Sequence, residues 1–270
     1  MDSAANSSAT SVDLLPDAEP LAIAARPELT GGRRVGVLLS HGFTGQPASM
    51  KPWARALAAE GYGVIVPRLP GHGTTWQDLN RTTYDEFYGE LARAFDELCL
   101  TNDVVFVAGL SMGGSLVLRL TEEHQDRISG VILVNPAVAT KRLDVKLLPL
   151  LKHLIPSFPG IASDIKKPGT DEYGYTRTPL KAAHSMMVGW RSVVEDLGKI
   201  TAPVLYFRSR TDHVVDGLSE LIIAEQISST DLEIVYLEDS YHVATLDNDL
   251  PRIVRDSLEF LARLTALKPA

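Results

Sequence analysis

The stretch V-V-F-V-A-G-L-S-M-G-G, residues 104–114, decides the fold. Its first five residues, Val104–Ala108, are all apolar and predict a buried strand, and the pattern over Ser115–Glu123 predicts a helix. The motif G-x-S-x-G between them is typical of a turn too sharp for bulky side chains beside the serine. Such a turn holds the serine in a strained conformation, with its Oγ exposed at the sheet edge and helix N–H groups nearby. We therefore predict that Ser111 is a nucleophile.

The competing interpretation of this stretch is a glycine-rich turn in a nucleotide-binding fold. The chain has neither the G-x-G-x-x-G pattern nor the lysine of a phosphate-binding loop, and this absence disfavours that interpretation.

Short apolar runs alternate with longer helical patterns on both sides of this stretch. Because the runs are apolar throughout, we expect strands buried on both faces of a mostly parallel central sheet flanked by helices, an α/β fold. The further predicted strands are Val35–Ser40, Gly63–Val66, Gly130–Val134, Val204–Arg208 and Leu232–Leu237. The further predicted helices are Trp53–Glu60, Thr83–Leu98, Leu218–Gln226 and Leu250–Leu264.

Residues 137–199 interrupt the alternation. This segment has no clear strand, and its L-L-P-L-L-K-H-L-I-P run is very apolar, so we predict an inserted cap of short helices and loops. Residues 18–136 and 200–270 then form the two parts of the core. The Ala/Ser/Thr-rich residues 1–17 predict a disordered lead.

Composition excludes several classes of function. The 270 residues carry 26 basic and 34 acidic side chains, a net charge of −8, which argues against broad nucleic-acid binding and repels anionic headgroups. Any membrane contact should therefore be local and apolar. The lone Cys99, in an apolar pattern, predicts an inert thiol without disulfide or zinc. The N-terminus does not resemble a secretory signal, and no apolar run reaches the roughly 18 residues of a spanning helix, so we expect a cytoplasmic protein.

A serine nucleophile needs backbone donors for the oxyanion and a base oriented by a carboxylate. The predicted strand Val35–Ser40 runs into H-G-F-T-G, where the Phe43 amide is the expected first donor and the Met112 amide the second. His41 is interpreted as a brace for this loop rather than a catalytic group.

The acid and base should follow the serine in that order. Asp212 and His242 follow the ends of two predicted strands. Functional residues of an open sheet lie at the carboxyl ends of its strands, so we predict these two as acid and base. His213 is disfavoured because it would point away from its neighbour Asp212. The remaining candidates are interpreted as turn, cap, surface or structural residues: Asp216, Asp239, His72, His124, His153 and His184.

These motifs, in this order, resemble the α/β-hydrolase superfamily and, more narrowly, bacterial monoacylglycerol lipases and their carboxylesterase relatives. The resemblance runs from about Arg34 to the end and is weakest in the cap. It rests on H-G-F-T-G (41–45), P-R-L-P-G-H-G-T-T (67–75), G-L-S-M-G-G (109–114), G-I-A-S-D-I-K (160–166), S-R-T-D-H-V-V (209–215) and S-Y-H-V-A-T-L-D-N-D (240–249).

The resemblance implies hydrolysis of a monoacylglycerol to glycerol and fatty acid, through an acyl-enzyme on Ser111, with no metal or organic cofactor. It also implies a cap that covers an apolar acyl tunnel. The residues that match the family's functional positions are a triad of Ser111, Asp212 and His242, the Phe43 and Met112 donors, and Glu172 in T-D-E-Y-G-Y as a glycerol contact.

The cap has more apolar side chains than a short insertion needs, so some should line the tunnel and some should meet a lipid interface. The alternative is that all of them pack onto the core. They are Leu143, Val145, Leu147, Leu148, Leu150, Leu151, Leu154 and Ile155.

Three other functions remain open at this stage. One is a general carboxylesterase for short soluble esters, and another is a different serine-hydrolase chemistry such as C–C bond hydrolysis or perhydrolysis. The third is a ligand-binding module that kept the fold without catalysis.

Overall fold

The computed structural model of the protein describes residues 13–267, and its secondary structure follows the predicted alternation. Within this range the strands are β1 (Leu21–Ile23), β2 (Val35–Ser40), β3 (Gly63–Val66), β4 (Val104–Leu110), β5 (Val131–Val134), β6 (Ser157–Pro159), β7 (Arg177–Pro179), β8 (Val204–Ser209) and β9 (Leu232–Leu237). The α-helices are α1 (Lys51–Ala59), α2 (Trp76–Leu79), α3 (Tyr84–Thr101), α4 (Met112–His124), α5 (Leu148–Leu151), α6 (Leu180–Asp196), α7 (Leu218–Gln226) and α8 (Leu250–Leu267).

The described residues form a seven-stranded central sheet in the order β1-β3-β2-β4-β5-β8-β9. Every neighbouring pair is parallel except β1 and β3, which pair antiparallel with Leu21 opposite Val66. The predicted mostly parallel sheet flanked by helices is confirmed. The carboxyl ends of β2, β4, β8 and β9 lie along one edge, which gathers the loops that carry the candidate residues.

Apolar side chains cover both faces of the sheet. On one face Val107 packs in a core with Phe87 of α3 and Leu116 of α4, and on the other Phe106 packs with Phe260 of α8. All seven residues of β4 are buried. Strands that are apolar throughout can lie only between two such layers, because either face would otherwise be exposed to water.

The structure departs from the sequence-based prediction at the N-terminus. Residues 1–12 of the predicted lead lie outside the described residues, but its last residues are held on the core. The Leu15 amide donates to the Gly73 carbonyl at 2.9 Å, and the Lys51 ammonium donates to the carbonyl and carboxylate of Asp17, both at 2.8 Å. The prediction of disorder is wrong for this part, because it considered local composition and could not include partners distant in sequence.

The predicted insertion also contains more regular structure than expected. Strands β6 and β7 pair antiparallel, with Ser157 opposite Pro179, and α6 is a 17-residue helix rather than a short one. Helix α6 packs with α3 and α4, and its Val193 is fully buried in the core. Two three-residue strands are too short to show alternation. Gly189 lies within α6 and weakens the helical pattern of the sequence there. A glycine is needed at this position because a Cβ would lie 2.2 Å from the Tyr84 ring.

No helix among residues 13–267 combines the length and the apolar character that crossing a membrane requires.

Candidate active site

Ser111 lies on the turn between β4 and α4, at the carboxyl edge of the sheet. Its backbone has φ 56° and ψ −118°, a conformation that is strained for a residue with a side chain. The turn is tight because α4 begins directly against β2, and a Cβ on Gly113 would lie 2.2 Å from the Ser40 carbonyl oxygen. The glycines of the motif therefore permit the close approach that aims the serine away from the sheet.

The H-G-F-T-G loop after β2 lies against this serine. A Cβ on Gly42 would lie 3.3 Å from the Ser111 Cβ and 3.9 Å from its Oγ. Among residues 13–267, the structure gives neither the Phe43 amide nor the Met112 amide a hydrogen-bond acceptor. Two unpaired backbone N–H groups beside a serine hydroxyl are what stabilisation of an oxyanion requires.

His41 braces this loop from inside the protein, as interpreted from the sequence. Its Nδ1 lies 3.0 Å from the Gly42 carbonyl oxygen, and its Nε2 accepts the Leu69 amide hydrogen at 3.2 Å. Burial is the largest influence on the ring and lowers its pKa to about 4, against the opposing effect of the Gly42 carbonyl. The neutral tautomer with the hydrogen on Nδ1 satisfies both contacts.

Asp212 and His242 come together from the loops after β8 and β9. The His242 Nδ1 lies 3.0 Å from the Asp212 Oδ2, and both side chains are buried. The Asp212 Oδ1 accepts the amide hydrogens of Val214 and Val215, each at 2.9 Å. Burial alone would raise the pKa of Asp212, but the charge and hydrogen bond of His242 and the two amides outweigh it, and the pKa falls to about 2. The carboxylate is thus charged and able to orient the imidazole.

The competing groups have other partners. The His213 Nδ1 pairs with Asp164 at 2.8 Å rather than with its neighbour Asp212. Asp216 accepts the amide hydrogens of Leu218 and Lys141, as a turn residue does, and Asp239 pairs with Lys166 on the surface. His72, interpreted as a surface or structural residue, is fully buried beside the His41 ring, at a centroid distance of 4.9 Å.

The predicted cap contributes a buried carboxylate at the same edge. Glu172 Oε1 accepts the Ser163 amide hydrogen at 3.1 Å, and its Oε2 lies 3.0 Å from where a Cβ on Gly45 would stand. Burial raises the pKa of Glu172, opposed by the Ser163 hydrogen bond and the charge of His242. Glu172 is therefore held against the H-G-F-T-G loop and the Ser163 backbone.

Sequence reasoning missed Asp164, a second cap carboxylate in contact with this site. Its Oδ2 accepts the His242 amide hydrogen at 3.1 Å and the His213 amide hydrogen at 3.2 Å. It therefore links the predicted cap to the loops that carry the candidate acid and the candidate base. The S-D-I-K string contained it, but nothing local in the sequence indicated which distant backbone it would meet.

Sequence reasoning also missed Arg208, whose Nη1 donates to the Asp212 Oδ2 at 2.7 Å. A lone arginine near the end of the apolar strand V-L-Y-F-R-S was a usable signal, because a buried guanidinium needs a partner.

Apolar side chains of residues 148–187 pack against the H-G-F-T-G loop. Phe43 packs with a cluster contributed by α5, the loop after it and α6: Leu148, Leu151, Ile155, Leu180, Ala183 and Met187. This cluster forms an apolar wall immediately beside the candidate oxyanion donors.

Other cap leucines point to solvent. Leu143 is 72% exposed, Leu147 60%, Leu150 64% and Leu154 72%. The alternative that all the apolar residues of the cap pack onto the core is therefore wrong.

No group of three or more His, Cys, Asp or Glu side chains within residues 13–267 is arranged to hold a metal ion.

The sheet topology and a serine on a strained strand–helix turn, together with an Asp–His pair on the loops after β8 and β9, are typical of one class of proteins, the α/β-hydrolases with a serine nucleophile. Residues 32–249 match the family Hydrolase_4, described as serine aminopeptidase, S33. The chain belongs to this family of α/β-hydrolases and is a serine ester hydrolase.

Its relatives include the thermostable monoacylglycerol lipase of Bacillus sp. (strain H-257), 41% identical over 249 residues that cover 90% of this chain and 97% of that protein. The carboxylesterase of Bacillus subtilis (strain 168) is 25% identical over 90% of this chain and 98% of that protein. A solved structure described under LipS and LipT, two metagenome-derived lipolytic enzymes, has a TM-score of 0.87 and 37% identity, covering 93% of this chain and 100% of that chain.

Proposed function

We propose that this enzyme hydrolyses monoacylglycerols to glycerol and fatty acid. The observation that carries the proposal is Glu172, a buried carboxylate whose Oε2 lies against Gly45 of the H-G-F-T-G loop. A carboxylate in that place can accept hydrogen bonds from the free hydroxyl groups of a glycerol leaving group, whereas a simple alkyl ester offers it none. The 41% identity to a monoacylglycerol lipase supports the same substrate class.

In the proposed mechanism His242 takes the Ser111 proton as the Oγ attacks the ester carbonyl. The oxyanion receives hydrogen bonds from the Phe43 and Met112 amides, and Asp212 stabilises the imidazolium. The imidazolium then gives its proton to the leaving glycerol oxygen, and a covalent acyl-Ser111 remains. Water, deprotonated by His242, attacks the acyl carbonyl. The bond from the acyl carbon to the Ser111 Oγ then breaks, the imidazolium returns its proton to that Oγ, and the fatty acid is released.

Residues 137–199 act as the cap in this proposal, and the acyl chain lies along the apolar wall at Phe43. That wall includes the half-buried side chains of Leu151, Ile155 and Met187, which an alkyl chain can cover. Covering apolar surface in this way contributes roughly 25 cal/mol per Å², so long acyl chains should bind more tightly than short ones.

The test compares kcat/KM for a long-chain monoacylglycerol and for a short p-nitrophenyl ester in the native enzyme and the Glu172→Gln variant. We expect the native enzyme to prefer the monoacylglycerol. The variant should lose about tenfold on that substrate and change less than about twofold on the short ester, since one hydrogen bond to a charged group contributes roughly 1.5 kcal/mol. A native preference for the short ester would instead support the general carboxylesterase.

The nucleophile is tested separately with a fluorophosphonate probe. The native enzyme should be labelled and the Ser111→Ala variant should not. Equal labelling of both would contradict the role of Ser111, and failure of the native enzyme to react would support a ligand-binding module.

We also propose a cytoplasmic enzyme that meets lipid only through the exposed cap leucines. Leu147 and Leu150 are on or beside α5, more than half exposed, where they can insert into an interface. Flotation with phosphatidylcholine vesicles should recover less of a Leu147→Ser/Leu150→Ser variant than of the native enzyme. Leu100→Ser, at a leucine outside the cap that is even more exposed, is the control and should float like the native enzyme. Equal flotation of all three would contradict the cap contact.

A further inference from the structure

Arg208 lies behind the candidate acid, near the end of a strand that is buried along its whole length. Its guanidinium donates from Nη1 to the Asp212 Oδ2 at 2.7 Å and from Nη2 to the Val215 carbonyl at 2.8 Å. Its Nε lies 3.6 Å from the Glu220 Oε2. The planar fork thereby bridges the carboxylate and the far end of the loop that also donates two amides to the same carboxylate.

The oxygen that Arg208 contacts is the one that His242 contacts. Asp212 Oδ2 therefore accepts from a permanent cation at 2.7 Å and from the imidazole at 3.0 Å. Part of the carboxylate charge is already neutralised before His242 gains a proton. A cation in this position disfavours the imidazolium, and it does so strongly because the Asp212 side chain is fully buried and the Arg208 side chain is 9% exposed.

Glu220 on α7 opposes this effect from the other side of the guanidinium. Its Oε1 accepts the hydroxyl hydrogen of Tyr236, the residue opposite Arg208 in the β8–β9 register, at 2.5 Å. Glu220 is thus held facing Arg208, and its negative charge offsets part of the positive charge that Asp212 and His242 experience.

We propose that Arg208 is a positioning residue for Asp212, which fixes that carboxylate and limits how strongly it stabilises the His242 imidazolium, and that Glu220 moderates this effect. The consequence is a base that stays neutral, and able to take the Ser111 proton, to lower pH. The inference rests on the proposed roles of Ser111, Asp212 and His242.

The other charged groups that face His242 come from the cap. Glu172 acts on it through its charge, and Asp164 accepts its amide hydrogen. His213 is on the far side of Asp164, half exposed. Substitutions at Arg208 and Glu220 leave all three in place, so a change in pH profile reports on the charges behind Asp212.

The experiment measures kcat/KM against pH on a short p-nitrophenyl ester for the native enzyme and for Arg208→Met, Arg208→Lys and Glu220→Gln. The acid limb of this profile is the fall in kcat/KM at low pH. Arg208→Met should move it up by about one pH unit, because the imidazolium gains stability when the cation is removed. Glu220→Gln should move the limb down by about half a unit, a smaller shift because Glu220 is partly exposed to screening. Arg208→Lys should keep the limb within a few tenths of a unit of the native position, but lower kcat about tenfold because a single ammonium cannot bridge two acceptors.

If the role of Arg208 were purely structural, its substitution would lower the stability of the protein without moving the acid or the basic limb of the pH profile. If Arg208→Met and Glu220→Gln both had their acid limb at the same pH as the native enzyme, the proposal would be overturned. If Arg208→Met does not fold, Glu220→Gln decides by its sign, since glutamine keeps the size of the side chain and its bond to Tyr236. Failure of the proposed function is distinguishable, because a native preference for the short ester over the monoacylglycerol leaves the expected shifts of the acid limbs unchanged. Failure of the proposed role of Ser111 would appear as hydrolysis that survives Ser111→Ala.

Discussion

Asp212→Asn replaces a carboxylate whose oxygens accept four hydrogen bonds. Oδ1 accepts from the Val214 and Val215 amides, and Oδ2 accepts from Arg208 and His242. An amide has one acceptor oxygen, so its NH₂ must face either the two backbone donors or the two side-chain donors. Both orientations leave buried donors unpaired and remove the charge that balances Arg208.

The loss of stability follows from the pKa of this group. The pKa of Asp212 is about 2 in the folded protein against 3.8 for an unperturbed aspartate, and each pH unit corresponds to about 1.4 kcal/mol, so its ionisation contributes roughly 2–3 kcal/mol at pH 7. Because the folded pKa is the lower one, this stability is present above pH 4 and is lost as the pH falls through 2. About half of it should remain at pH 3. The variant should therefore be at least about 2 kcal/mol less stable than the native enzyme at pH 7, and the difference should shrink by pH 3.

Urea unfolding at pH 7 and at pH 3 measures this difference, and kcat on a short ester measures the second effect. Without the charge that stabilises the imidazolium, kcat should fall about 10³-fold or more. Ser111→Ala is the control, since it abolishes activity without touching the carboxylate and should unfold at native or higher urea. An Asp212→Asn variant as stable as the native enzyme at pH 7, or with kcat within tenfold of it, would refute the reasoning.

Two further predictions concern the turn and the cap. Gly113→Ala should destabilise the protein by about 3 kcal/mol or more, because its Cβ would meet the Ser40 carbonyl at 2.2 Å, whereas Gly89→Ala, in open space on α3, should stabilise it by roughly 0.5–1 kcal/mol. Urea midpoints measure both, and equal midpoints for the two variants would contradict the packing argument. Asp164→Asn should lower kcat about tenfold with little change in KM for a short ester, because it weakens the acceptor that holds the His242 backbone. His213→Gln, which changes only the half-exposed partner, should stay within about twofold, and a native kcat in Asp164→Asn would show that the brace has no catalytic effect.

Features that depend on neighbouring residues could be predicted from the sequence. The turn at Ser111 is one, because a strand, three glycines and a helix start are contiguous in the chain. The strands Val35–Ser40, Gly63–Val66 and Leu232–Leu237 have the predicted bounds, since a short, mostly apolar run flanked by turn residues is a local signal. The mostly parallel sheet follows from the same runs, because they can be buried only if helices cover both faces.

Chain order even indicated the pairing of Asp212 with His242, which the structure brings to 3.0 Å. It could not indicate that Arg208 shares the same oxygen or that Asp164 holds the histidine backbone. It also could not indicate that Leu15 is held by the Gly73 carbonyl. The packing of the whole fold determines which of these residues meet. A polar group removed from water then forms a hydrogen bond with the group that the fold brings within about 3 Å. The sequence alone therefore determined the sheet and the candidate nucleophile, and only the tertiary structure decided which charges surround the candidate base.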